Sequence, residues 1–259
     1  MTVYTELIAY RELFGNLFRR DLQAKYKGSA LGVVWVLLPP LVLVCVYLLV
    51  FKVLWRAAVP HYSLYLLAGL SSWIFFATTV QAGSRAMLDN APLIRKTRFP
   101  RQLVAFSVVG TNLVTYVVML AIILVLSFAF IPSARATEWL AIPLAALFVL
   151  FVAGLTLALA CLDVLYRDIE HLIASLLLPW FFLTPILYSF SQFGHQRLTS
   201  ILYYANPITP PIVAIRDPLW AGQAPRLVDV VYLVVGTAVA LALGAFVFRR
   251  VDDRIAVEL

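Results

Sequence analysis

Between Leu31 and Phe51 the chain runs for 21 residues without a charged side chain. Hydrocarbon offers no water to backbone N–H and C=O groups, so a segment that crosses it must be a helix. A bilayer core about 30 Å thick takes roughly 20 residues of helix. This run fits one crossing, and others follow. The apolar blocks predict spans over residues 30–52, 63–82, 103–130, 139–161, 172–189 and 228–248. Pro39-Pro40 lies inside the first and should kink it, because proline removes a backbone donor and crowds the preceding turn. The fifth is shorter and holds Pro179 and Pro185. Composition excludes a water-facing fold. The chain is 63% hydrophobic and 13% charged, with a mean hydropathy of +0.94, where soluble domains average about 45–50% apolar and about 25% charged. The expected fold class is an all-α polytopic membrane protein. It would form one domain over 1–259: an amphipathic interface helix within 1–28, a six-span bundle over 30–248 and a tail over 249–259.

Just ahead of the first span lies Arg19-Arg20-Asp21-Leu22-Gln23-Ala24-Lys25-Tyr26-Lys27-Gly28. Residues 4–25 read as a surface helix. Leu7, Tyr10, Phe14, Leu17 and Phe18 share one face, and Glu12, Asn16, Arg19, Arg20 and Gln23 the other. That pattern suits either a helix lying in the bilayer interface or one packed on its own protein. The first 28 residues hold no apolar core of a signal peptide, and the first apolar block is too long for one, so no cleavable leader is expected.

Lys and Arg placement gives an orientation. Fourteen fall on one side: Arg11, Arg19, Arg20, Lys25, Lys27, Arg85, Arg95, Lys96, Arg98, Arg101, Arg167, Arg249, Arg250 and Arg254. Six fall on the other: Lys52, Arg56, Arg135, Arg197, Arg216 and Arg226. The positive-inside rule puts both termini in the cytoplasm. The net charge of +7 then reflects orientation and anionic lipid rather than nucleic acid, for which no soluble segment is long enough.

Two connections on the basic side mix charge with apolar residues. Ser84–Arg101 carries Pro92 and Pro100 and predicts a short helix near 84–90 followed by a turn. Asp163–His171 is a compact charged loop. On the other side, Leu198–Ile215 is apolar but interrupted by Asn206-Pro207 and Pro210-Pro211. It is too short and broken to span, so a re-entrant or surface hairpin is expected.

The sequence offers little catalytic chemistry. It has no phosphate loop of the G-x-x-x-x-G-K-[ST] type and no Cys/His cluster with zinc spacing. It also has no G-x-S-x-G elbow. Cys45 and Cys161 read as small hydrophobes, and His61, His171 and His195 as surface residues at span ends. No catalytic or metal site is expected. Ionisable residues are confined to span ends and loops, which argues against a proton- or sodium-coupled carrier. The driving force must come from elsewhere. Aromatic residues make up 14% of the chain. Tyr and Trp at span ends suit interface belts. Trp180, Phe181 and Tyr188, on the proline-bent fifth span, also suit the wall of a sugar-conducting path.

Taken together, the motifs resemble one family. Arg20-Asp21-Leu22-Gln23-Ala24-Lys25-Tyr26-Lys27-Gly28-Ser29-Ala30-Leu31-Gly32, followed by Trp35 and Pro39-Pro40, is similar to the opening of ABC transporter permeases that export O-antigen, teichoic acid and related lipid-linked glycans. Asn90-Ala91-Pro92-Leu93-Ile94 with Phe99-Pro100, Tyr166-Arg167-Asp168-Ile169, and Asn206-Pro207-Ile208-Thr209-Pro210 with Arg216-Asp217 resemble the same family in the same order. The resemblance implies a homodimer in a bacterial or archaeal cytoplasmic (inner) membrane, with a channel between six-span subunits. It implies two copies of a separate ATP-binding subunit, so ATP and Mg would sit on that partner and no cofactor on this chain. The substrate would be a polyprenyl-diphosphate-linked glycan such as O-antigen, teichoic acid or galactan. Arg19, Arg20, Lys25 and Lys27 would meet the diphosphate or, alternatively, anionic lipid. Arg85, Asp89, Asn90, Tyr166, Arg167, Asp168 and Glu170 would lie on the loops that receive the ATPase stroke. The same architecture could carry a drug or a simpler lipid. A membrane glycosyltransferase would need carboxylates or histidines in the spans, and the spans lack them.

Overall fold

The computed structural model describes residues 10–26, 34–47, 49–50, 60–97, 99–190 and 196–258. Among these there is no β-strand. The helices are α1 (Arg11–Tyr26), α2 (Val34–Tyr47), α3 (Tyr62–Ser84), α4 (Ala86–Asp89), α5 (Ala91–Lys96) and α6 (Gln102–Phe130), then α7 (Ala141–Leu165), α8 (Ile169–Leu183), α9 (Gln196–Ala205), α10 (Thr209–Trp220) and α11 (Leu227–Glu258). Two 3₁₀ turns, Pro132–Ala136 and Glu138–Leu140, join α6 to α7.

Among the described residues four stretches are long and apolar enough to cross a bilayer: Tyr62–Ser84, Gln102–Phe130, Glu138–Leu165 and Leu227–Asp252. α8 is apolar but holds only 15 residues. The described part of the first apolar block, α2, stays helical through Pro39-Pro40. α3 is the centre of the bundle. Of its most apolar window 78% is buried, against 22% for Leu227–Asp252 on the outside. α7 and α11 pack backbone to backbone. A Cβ added at Gly154 would lie 2.5 Å from the Ala240 carbonyl carbon, and one at Gly244 would lie 2.5 Å from Gly154 O. Without a hydrophobic drive between helices in lipid, such small-residue contacts are what hold them together.

Three helix ends differ from the sequence reading, each for a local reason. The expected fifth span, 172–189, is a helix over 169–183. Thr184 is extended (φ −94, ψ 129), as the residue before a proline tends to be, so Pro185 ends the helix there. The expected tail, 249–259, continues α11 as helix to Glu258. Phe248, Val251 and Ile255 recur at helical spacing and are buried, and Arg101 Nη1 donates to Asp252 Oδ1 at 2.8 Å. After Asn90, where a turn is expected, a second short helix begins with Pro92 in its first turn, a position whose missing N–H has no partner to lose. Residues 4–9 of the expected surface helix, and Lys27, lie outside the described residues.

The helices order the molecule into two ends. One gathers α1, α4, α5, the elbow 166–168 and the end of α11, and is rich in Arg and Lys. The other gathers the 131–140 turns, the turn after α8, and α9 and α10, and is rich in aromatic rings.

Candidate functional site

At the basic end, α3 and α7 deliver two charged connections to the same place. Arg85, the first residue after α3, donates from Nη1 to Glu170 Oε1 at 2.9 Å. Its Nε lies 3.4 Å from Asp89 Oδ1, one helical turn on. The hydrogen bond to Glu170, then the charges of Asp89 and Glu170, hold the Arg85 guanidinium pKa above its usual value. Glu170 is in the first turn of α8, where a carboxylate also suits the helix dipole. Its backbone N–H donates to Asp163 Oδ1 at 2.9 Å. Asp163, fully buried in the last turn of α7, thus caps the next helix across the elbow and sets the angle between them.

The elbow itself points outward. Tyr166 is 64% exposed, and Arg167 and Asp168 are exposed beside it. The sequence-predicted residues thus fall into two groups. Arg85 binds both Asp89 and Glu170. Tyr166, Arg167 and Asp168 form a free polar knuckle at the start of the helix that Arg85 holds.

α1 joins this end directly. Its apolar face packs on α6, with Phe14 and Phe18 near Gly110 and Leu17 buried. Arg20 Nη2 donates to Asp21 Oδ1 and to Asn90 Oδ1, both at 2.7 Å. Ser107 Oγ, on α6, donates to Asp21 Oδ2 at 2.8 Å. Asn90 Nδ2 in turn donates to Ala86 O at 2.9 Å. Arg20 therefore ties the surface helix to the junction of α4 and α5. Arg19 is exposed. Lys27 and the side chain of Lys25 lie outside the described residues, so only half of the proposed cationic set is seen.

At the aromatic end, Trp180 and Phe181 face different neighbours. Trp180 meets the edge of Phe76 at 5.4 Å and its Nε1 donates to Asn206 Oδ1 at 2.9 Å. Phe181 is buried, 5.6 Å from Trp73 and 6.0 Å from Tyr47. Tyr188 is half-buried, donates to Phe182 O at 2.8 Å and lies 5.6 Å from Phe190. Rings continue from there: Phe190 to Tyr203 at 6.3 Å, Tyr203 to Tyr204 at 4.8 Å, and Tyr204 to Tyr232 at 6.3 Å. Asn206 locks the α9–α10 turn, accepting from Trp180 and Ile208 N and donating to Thr184 Oγ1 at 2.9 Å.

Sequence reasoning missed Asp163, Asp21, Ser107 and the Arg101–Asp252 pair. Only Asp163 left a signal, as a carboxylate ending an apolar run just before a turn. Among the described residues no group of three or more His, Cys, Asp or Glu is gathered to hold a metal ion.

A helical membrane bundle with most of its Lys and Arg collected at one end, around short helices and an exposed elbow, has the build of a transport subunit. The chain belongs to the ABC-2 type transporter family, whose pattern matches residues 12–220. It is 34% identical over 247 residues to the O-antigen export system permease protein RfbA of Myxococcus xanthus, covering 94% of each chain. It is 28% identical over 248 residues to the RfbA protein of Klebsiella pneumoniae, covering 95% of this chain and 94% of that one. The polysialic acid transport protein KpsM of Escherichia coli is 21% identical over 242 residues, 92% of each.

Proposed function

We propose that this chain is the membrane-spanning subunit of an ATP-driven polysaccharide exporter. It carries a polyprenyl-diphosphate-linked glycan across the cytoplasmic membrane, outward from the cytoplasm. Two copies form the conduit, and two copies of a separate ATP-binding subunit drive it. Each copy crosses six times with both termini inside, α2 and α8 supplying the spans beyond the four long helices. α9 and α10 form a hairpin that enters the outer leaflet and returns.

The observation that carries this reading is the exposed elbow Tyr166-Arg167-Asp168, hung on a helix that Arg85 and Asp163 hold from two directions. A push on that knuckle reaches α8 and, through Arg85, α3. Polysaccharide-exporting relatives that match more than nine-tenths of the chain support the cargo class. Arg19, Arg20, Lys25 and Lys27 meet the diphosphate at the inner interface. Trp180 and Tyr188, backed by Phe181, give the glycan aromatic faces at the outer end.

The test is reconstitution. The purified chain should hydrolyse no ATP alone, and with its ATP-binding subunit it should move lipid-linked glycan. Deleting the gene should strand that glycan inside the cell. Arg167→Ala or Asp168→Ala should leave ATP hydrolysis in place and cut export. ATP hydrolysis by the lone chain would overturn the proposal. Unchanged surface glycan in the deletion strain would point instead to a drug or simpler lipid as cargo.

A further inference from the structure

Arg216 is a cation buried to 4% exposure at the aromatic end, away from every basic residue assigned above. Its Nη1 donates to Pro185 O at 2.8 Å. Its guanidinium lies 3.9 Å over the ring of Tyr65. Tyr65, itself buried, donates from Oη to Pro185 O at 3.1 Å and contacts Tyr188 O. Tyr62 donates to Leu187 O at 2.9 Å. Three donors from α3 and α10 thus take up the carbonyls of the turn that Pro185 creates after α8. Trp220 completes the node, its ring set edge-to-face with Tyr65, centroids 4.9 Å apart, and its Nε1 donating to Pro60 O at 2.6 Å.

Burying a charge is costly unless it is paired and hydrogen-bonded. A methionine would fill the same space without that cost. The geometry accounts for a cation: it can stack on one ring and bond a carbonyl from the same planar group.

α3 therefore holds α8 at both ends, through Tyr62 and Tyr65 at the turn and through Arg85 at Glu170. The two attachments differ in kind. Arg85 is half-exposed, whereas Arg216, Tyr62 and Tyr65 are sealed. Between them α8 is a rod of 15 residues, about 22 Å long, with only Phe181 buried.

Building on the exporter reading, we infer that Arg216 is a positioning residue for transport. It pins the outer end of α8 to α3, so that a push on the elbow tilts α8 about the 184–188 turn instead of sliding it. The turn is the pivot and the elbow is the moving end.

The test uses the full complex of this chain with its ATP-binding subunit. Spin labels on Thr78 and on Leu172, an exposed residue near the elbow end of α8, report the moving end, and labels on Thr78 and Phe190 report the pivot. In the wild type, ATP binding should change the first distance and leave the second. In Arg216→Met both should change, and glycan exported per ATP should fall about tenfold, the factor expected when one buried hydrogen-bonded group is lost. Tyr65→Phe, which keeps the ring under the guanidinium, should give the same pattern more weakly and covers the case in which Arg216→Met does not fold. A covalent substitute should restore function. A Cβ at Gly69 would lie 3.8 Å from the Ile186 Cα, within reach of a disulfide. With Cys45 and Cys161 replaced by alanine, the Gly69→Cys, Ile186→Cys disulfide should support export and rescue Arg216→Met. Arrested export in the cross-linked chain would overturn the pivot, as would wild-type export per ATP in a folded Arg216→Met chain. If the wild-type complex moves no glycan, the exporter reading fails; the two label distances still decide the pivot.

Discussion

The two ends of this bundle hold their irregular backbone by opposite means. At the basic end, most of the bonds are ion pairs between partly exposed side chains: Arg85 with Glu170, Arg85 with Asp89, Arg20 with Asp21 and Arg101 with Asp252. At the aromatic end, beside the Arg226–Asp229 pair, they are mainly buried hydrogen bonds: Tyr62, Tyr65 and Arg216 donate to carbonyls, and Asn206 accepts from Trp180 and donates to Thr184. Exposed ion pairs contribute little and exchange readily with water or another protein. Buried polar bonds are costly to leave unmade. One end can re-form against a moving partner, and the other resists. A transporter driven from one side, as proposed for this chain, needs that asymmetry.

The contrast is open to attack, beginning where the effect should be greatest. Asn206→Ala strands the Trp180 indole N–H and the Ile208 N–H, and leaves the Thr184 hydroxyl only its own donation to Trp180 O. It should cost about 3 kcal/mol of stability, read as a lower thermal midpoint in detergent with a shifted Trp emission. At the other end, Asp163→Ala removes a cap and should cost only about 1 kcal/mol in the same assay. A larger loss at Asp163 than at Asn206 would break the comparison. Arg85→Glu sets like charges facing each other. It should lower export per ATP while leaving the thermal midpoint near wild type, and Glu170→Arg in the same chain should restore coupling. Smallest of all is the effect of salt. Raising ionic strength from 0.1 to 1 M shortens the screening length from about 10 to about 3 Å. Amide exchange over 85–96 should quicken, and exchange over 184–188 should not change.

Much of the helical framework is legible in the apolar runs, because backbone satisfaction in lipid leaves a spanning segment no other form. The ends are harder to read. That α8 stops at Leu183 could be read from Pro185, since proline restricts the residue before it. That α11 reaches Glu258 could be read from Phe248, Val251 and Ile255. Both signals are weaker than the hydropathy that surrounds them. The site was legible as a set of residue types and not as a set of pairs. Arg85 and Glu170 are 85 positions apart, and Arg20 and Asn90 are 70 apart. Nothing local marks such partners, since each looks like an ordinary charge at a helix end. Arg20 is the instructive case. Its position beside the first span suggests a ligand for phosphate, and nothing in that position announces that its Nε and Nη2 also donate to Asp21 and Asn90.

On the proposed function, an ATP-binding subunit pushes on the elbow 166–168 and the neighbouring short helices, and nowhere at the aromatic end. Photo-cross-linking from single sites in the assembled complex tests this most directly. A cross-linker at Arg167 or Lys96 should capture the ATP-binding subunit, and one at Tyr204 or Phe190 should not. Capture from the aromatic end, or none from Arg167 and Lys96 in a complex that exports, would contradict it.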